Sequence, residues 1–101
     1  MIAVIFELQP KPNQQQNYLQ LASELGEQLR CMEGFISVER FASLAHPEKL
    51  LSLSFWQNEE AVRKWHEFEP HQAAQAQGKK TILANFRLRV AQVIRDYSMD
   101  K

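Results

Sequence analysis

FISVERFASLAHPEKLLSLSFW, residues 35–56, decides the fold. Phe35 to Ala42 and Lys49 to Trp56 read as two strands. The second alternates, with Leu51, Leu53 and Phe55 on one side and Ser52, Ser54 and Trp56 on the other. Between them, SLAHPE carries the turn signal His46-Pro47, so the pair predicts a β-hairpin. Outward from the hairpin, each flank carries a helix and then a strand. On the N-terminal side the spacing predicts a helix over 14–31, with Tyr18, Leu21, Ala22, Leu25, Leu29 and Met32 on one stripe. Asn13 is its expected cap, Gln16 the capping-box partner, and Gly34 sits where a left-handed, helix-ending residue belongs. On the C-terminal side Asn58 caps a second helix whose first turn carries Glu59 and Glu60. Ala61, Val62, Trp65 and Phe68 form its inner face, Pro70 restarts it and Gly78 ends the second piece. The outermost runs are IAVIFEL, residues 2–8, closed by Pro10 and Pro12, and NFRLRVAQVIRDY, residues 85–97.

The order is therefore β-α-β-β-α-β. It predicts an α+β, ferredoxin-like fold: an antiparallel sheet with two helices on one face. The helices cover that face only. In the first strand Ile2, Val4, Phe6 and Leu8 lie on one face and Ala3, Ile5 and Glu7 on the other, so both faces are largely apolar. The uncovered face needs a partner, and the simplest is a second copy of the chain. The expected assembly is a homodimer through sheet-to-sheet packing, closed into a dimeric α+β barrel.

Composition sets the outer limits. The 101 residues, 1–101, suit a single domain, and 45% apolar content is that of a globular chain. Twelve basic residues balance twelve acidic ones, and no basic run exceeds Lys79-Lys80, so no nucleic-acid partner is expected. The lone cysteine, Cys31, permits no internal disulfide and no thiolate metal cage, and is expected to be a small buried hydrophobe. The opening MIAVIFELQPKP has no cationic leader pattern, and no run approaches ~20 apolar residues. The expectation is a cytoplasmic protein with no membrane partner.

The opening IAVIFEL, the strand GFISVERF, LLSLSFW followed by NEEAVRKW, PHQAAQAQGK and the closing NFRLRVAQVIRDY resemble the antibiotic biosynthesis monooxygenase family of dimeric α+β barrel proteins. The resemblance covers nearly the whole chain. It implies a cofactor-independent monooxygenase, without metal or flavin, acting with O2 on a phenolic, quinol or polyketide-like aromatic substrate. Such chemistry asks the protein for a flat wall, a base near neutral pKa and a donor for a developing oxyanion.

Several residues fit those roles. Trp65 matches the family's pocket tryptophan; its structural reading is core packing with Val62 and Phe68. His66 lies about 100° further around the same helix, and His71 matches the family's proline-histidine segment. Their i, i+5 spacing does not suit a shared metal. Phe55 or Trp56 would complete the wall. Glu7, the ionisable residue of an apolar strand, is a further candidate base, or else the partner of an arginine. Arg87 and Arg89 share a strand face and would hold an anionic oxygen, or else form ion pairs with Glu7, Glu39 or a partner chain. Glu39 and Arg40 present one charge to each face of their strand. His46 reads as a turn residue. A haem-degrading branch of the family is a poor match, because Glu7 stands near its asparagine position and Gln75 where its axial histidine is expected. The alternative function is a non-catalytic, small-molecule-binding or stress-associated barrel of the same fold.

Overall fold

A computed structural model describes residues 1–68 and 81–99. Six elements follow in order: β1 (Ile2–Pro10), α1 (Gln15–Leu29), β2 (Phe35–Ala42), β3 (Leu50–Trp56), α2 (Glu59–Glu67) and β4 (Leu83–Gln92). The strands form one antiparallel sheet in the order β2-β3-β1-β4. This is the ferredoxin-like arrangement, and the central pair is the first and third strands.

Both helices lie on the face that carries Ile2, Val4, Phe6 and Leu8. Tyr18 and Ala22 of α1 pack with Leu8 of β1, Leu50 of β3 and Leu83 of β4. Leu29 of α1 and Ala61 of α2 pack with Trp56, and Val4, Val38 and Trp65 close around them. Trp56 and Leu8 are the large side chains excluded almost entirely from solvent, each 1% exposed. Burying an aromatic ring of that size is the largest single apolar contribution a residue can make.

The hairpin forms where expected, closed by Ser43 N–H donating to the Lys49 carbonyl and Lys49 N–H to the His46 carbonyl. Asn58 caps α2, its Oδ1 accepting from Ala61 N–H at 2.9 Å. Other boundaries need correction. Asn13 does not cap α1: it takes a left-handed turn at φ 68°, and Gln14 occupies the cap position, its Oε1 accepting from the Asn17 side chain rather than from a helix N–H. The helix ends at Leu29, short of 31, and Gly34 lies beyond it in the turn to β2 at φ 87°. A Cβ there would sit 2.6 Å from the Ala61 Cβ, so glycine also permits the close approach of this turn to α2.

β1 runs to Pro10, two residues further than expected, through an irregularity between Gln9 and Pro10 that lets the proline face Leu83. β4 starts at Leu83 rather than Asn85 and stops at Gln92, well before Tyr97. The reason is register. Gln92 faces Ile2, the first residue of β1, and one further bond joins Val93 N–H to the Met1 carbonyl, after which β1 has nothing more to offer. Ile94, Tyr97 and Met99 follow in the open, each over 80% exposed. Cys31 is exposed, not buried, because it falls past the helix end and off the Tyr18–Ala22–Gly26–Leu29 stripe. Pro70 and Gly78 lie outside the described residues.

Candidate functional site

The helices do not settle fully onto the sheet. Between them lies a cavity of about 700 Å³. Its roof is apolar: Leu21, Leu25 and Leu29 from α1, Val62 and Trp65 from α2. Its floor is the inward face of all four strands, with Val4 and Phe6, Ser52 and Ser54, Val38 and Arg40, Leu88 and Val90. Glu59, Glu60, Arg63 and His66 of α2 stand along its rim. Arg63 is tied at both ends, to Glu60 at 2.9 Å and Glu67 at 3.0 Å, so this edge carries no free guanidinium.

An aromatic row runs from the core into the cavity. Phe35 meets Trp56 edge-on at 5.4 Å between ring centroids, Trp56 meets Trp65 at 6.5 Å, and Trp65 stacks on Phe68 at 5.8 Å. Alternation along β3 turns Trp56 inward, and the inner stripe of α2 turns Trp65 toward it. The Trp56 indole N–H donates to Ser54 Oγ at 3.0 Å, which fixes both side chains.

Two polar groups stand beside this row. Tyr18 of α1 is buried against the cavity, and burial pushes its phenol above the usual tyrosine range, with the charge and hydrogen bonding of Arg40 pulling the other way. Arg40 of β2 donates from Nη2 to the Ala22 carbonyl of α1 at 3.1 Å, which draws its guanidinium under the helix. A neutral phenol, a cation and two serine hydroxyls thus face the apolar part of the chamber, whose rim carries the charged side of α2. Such a set can orient a ligand oxygen and stabilise negative charge that develops on it.

The sequence-predicted residues divide between the two faces of the sheet. Trp65, Trp56 and His66 line the cavity. Glu7, Phe55, Arg87 and Arg89 are on the opposite face, set there by register with Leu51, Ala3, Glu7 and Ile5 respectively. Glu7 accepts from Arg89 at 3.4 Å and lies 3.5 Å from Lys49 Nζ. His46 is in the hairpin turn, 4.0 Å from Glu48. His71 and Gln75 lie outside the described residues. Among the described residues no three metal-ligating side chains of the His, Cys, Asp or Glu types converge.

Sequence reasoning left Tyr18, Arg40, Ser52 and Ser54 out of the site. Tyr18 reads as one more apolar member of its stripe. For the serines a signal was present: Ser52 and Ser54 share the face of Trp56, so placing that tryptophan inside places both hydroxyls there too.

Comparison with known proteins gives a consistent family. The family model described as antibiotic biosynthesis monooxygenase matches residues 1–77. A curated protein of Pyricularia oryzae named jasmonate monooxygenase ABM is 42% identical over 93 residues, covering 92% of this chain. The chain spans 43% of that relative's length. Among solved structures, a Deinococcus radiodurans protein described as a candidate antibiotic biosynthesis monooxygenase superposes with a TM-score of 0.88 over 100% of both chains, at 14% identity. Rv0793 from Mycobacterium tuberculosis gives 0.85 over 96% of this chain and 98% of its own, at 16% identity. At these identities the structural likeness is one of fold.

Proposed function

This chain belongs to the antibiotic biosynthesis monooxygenase family, and from that premise we propose that it is a monooxygenase whose substrate, a phenolic, quinol or polyketide-like aromatic, binds in the cavity between helices and sheet. The observation that carries the reading is the chamber itself: about 700 Å³, with Trp65, backed by the buried Trp56, beside Arg40 and Ser54. The 42% identity to a protein named a monooxygenase supports the reaction class.

The reaction requires no resident redox group when the substrate is rich enough in electrons. An aromatic ring bearing an oxidisable CH2 supplies both electron pairs: CH2 plus O2 becomes C=O plus H2O. One oxygen atom enters the product and the other leaves as water. The chain's task is then to hold the flat ring, take the first proton and steady the anion. Trp65 provides the wall, and Trp56 behind it holds that ring in place. His66 on the cavity rim, or His71 beyond the described residues, receives the proton. Arg40 and the Ser54 hydroxyl face the oxygen that becomes negative.

The same reading includes a homodimer. Ile5, Leu51, Leu53 and Phe55 sit on the helix-free face, edged by Glu7, Arg87 and Arg89. An apolar centre with a charged rim is the anatomy of an interface. Ile94, Tyr97 and Met99, exposed beyond the end of β4, add apolar surface that a second subunit would cover. No helix among the described residues is long and apolar enough to cross a membrane. With an exposed free thiol at Cys31, a reducing, cytoplasmic setting completes the reading.

Oxygen uptake by purified protein with a panel of phenols and hydroquinones, including ones whose ring bears an oxidisable CH2, tests the reaction, with entry of one oxygen atom into the product read by mass. The expected result is uptake above the autoxidation blank with no metal or flavin added, falling roughly 100-fold when the acting base is removed by His66→Ala or His71→Ala. Trp65→Phe is expected to raise KM through the altered wall. Binding of the same quinols with no uptake by any of these proteins overturns the catalytic reading and leaves the non-catalytic binding barrel in its place.

A further inference from the structure

The helix-free face of the sheet is polarised from edge to edge. Register sets its middle row as Glu39, Leu53, Ile5 and Arg89, one residue from each strand in the order β2-β3-β1-β4. An acid stands at one free edge, a base at the other, and two branched hydrocarbons lie between them. The row on one side reads Ser37, Phe55, Ala3 and Ala91, so a large ring lies beside small side chains. The row on the other side reads Phe41, Leu51, Glu7 and Arg87, with Lys49 at its end.

Within the subunit the charges of this face are unevenly served. Glu7 is engaged twice, by Lys49 at 3.5 Å and by Arg89 at 3.4 Å. Glu39 is exposed, and its carboxylate has neither an ion pair nor a hydrogen bond among the described residues. Its row-mate of opposite charge, Arg89, is three strand spacings away, roughly 14 Å. Arg89 in turn shares its carboxylate with Lys49, and a guanidinium has five donors. Each edge of the row thus carries a charge that the other edge of the same sheet cannot reach.

Two copies of one sheet can be stacked face to face by a twofold axis in two ways. An axis across the strands lays every strand on its own copy. Acid edge then meets acid edge, and the strand of Arg87 and Arg89 meets itself. An axis along the strands instead lays β2 of one subunit on β4 of the other. It brings Glu39 to the partner's Arg89, Leu53 to the partner's Ile5 and Phe55 to the partner's Ala3, each pairing made twice. Opposite charges meet, and a large ring meets the low ground above a small residue. Aligned sheets pack ~10 Å apart with strands about 30° from parallel. At an edge strand, ~7 Å from the axis, that angle displaces residues by roughly 4 Å. A glutamate and an arginine on its long stem cover both distances, while the shorter Leu53 and Ile5 interdigitate at the centre.

We propose that the helix-free face receives a second copy of this chain about a twofold axis that runs along the strands, with Glu39 of each subunit paired to the partner's Arg89. The proposal rests on the homodimer reading above and adds its axis and its charge code. Opposite charges at the two edges fix the register of the sheets and penalise the crosswise stacking, in which like charges meet.

The test is charge exchange in the full chain, read by sedimentation across a dilution series, with circular dichroism to establish folding. Glu39→Arg and Arg89→Glu should each raise the dimer dissociation constant at least about tenfold, because each turns two attractive pairs into two repulsive ones. The double variant, Glu39→Arg with Arg89→Glu, should dimerise again, and an equimolar mixture of the two single variants should form a 1:1 heterodimer by native mass spectrometry. A merely structural role for either residue predicts the opposite for the double variant, since two defects would add. Glu39→Arg, which removes no described contact of its own chain, keeps the test open if Arg89→Glu does not fold beside Glu7. Single variants that dimerise as wild type does, or a double variant no tighter than the singles, overturn the proposal. A wild-type dimer that Leu53→Asp breaks but the charge exchanges leave alone keeps the homodimer and removes this axis, whereas a wild-type monomer removes both.

Discussion

The two faces of the sheet come from the same four strands by simple alternation, and they differ in an instructive way. The helix-covered face contains the core tryptophan, Trp56, but also Ser52, Ser54 and Arg40. The open face carries the more regular apolar series on β3, Leu51, Leu53 and Phe55, together with Ile5. By hydrophobicity alone β3 would turn the other way. The serines are tolerated inside because the helices stand off the sheet and leave a chamber, where hydroxyls face space rather than packed hydrocarbon. The leucines are tolerated outside because a second copy is expected to cover them. On the proposed reading the inside of the chain is thus partly built for a ligand, and its outside partly built as a core.

The sharpest way to break that comparison is to empty the inner face of its largest residue. Trp56→Ala removes a ring that is 1% exposed and packed against Phe35, Trp65, Leu29 and Ala61. Such a truncation is expected to cost about 3–5 kcal/mol of folding stability. Urea unfolding followed by circular dichroism measures it. A cost under about 1 kcal/mol would mean that the covered face is not the core, and the assignment of the two faces would reverse.

The next effect belongs to the open face. Leu53→Asp places a carboxylate at the centre of the expected interface and leaves the helix-side packing untouched. The subunit should keep its secondary structure while the dimer weakens by roughly 2–4 kcal/mol, the range of a central interface residue. Sedimentation of wild type and variant across a dilution series reads this directly. Wild-type protein that sediments as an 11.8 kDa monomer at all concentrations sinks the dimer.

This division explains what was legible in the sequence. The element order was legible, because each helix has a stripe at period 3.6 and each strand a run of its own, with Asn58 and the His46-Pro47 turn as punctuation. The fold followed from that order. Ends were less legible: β4 stops at Gln92 because β1 begins at Ile2, a fact of pairing that 85–97 does not carry within itself. Cys31 missed burial for a similar reason, since α1 ends before reaching it. In the site, Trp65 and Trp56 were legible as inner-face aromatics. Arg87, Arg89, Glu7 and Phe55 share one face by period two, but nothing in the alternation says which face the helices take. Choosing the face of Trp56 instead of the face of Leu53 brings in Ser52, Ser54 and Arg40 and moves the other four away from the cavity together.

The smallest expected effect concerns Tyr18, a buried group of the cavity wall whose titration the fold clearly displaces. Burial favours its neutral phenol, and Arg40 only partly offsets this, so the folded pKa lies above that of the unfolded chain. An unfolded tyrosine ionises near pH ~10. Below that value both states hold the proton and the contribution of Tyr18 to stability is constant. As pH rises from about 10 through the folded pKa, the unfolded state releases its proton first, and that contribution is progressively lost. Tyr18→Phe should therefore leave the stability profile between pH 7 and 9 parallel to wild type and flatten part of the decline above about pH 10. Arg40→Met should move the phenol's ionisation further upward, because the charge that opposes burial is gone, and phenolate absorbance of the folded protein reads this without unfolding. A downward movement instead would show that the Tyr18 phenol meets water rather than Arg40, and the two side chains would not be neighbours in the folded protein.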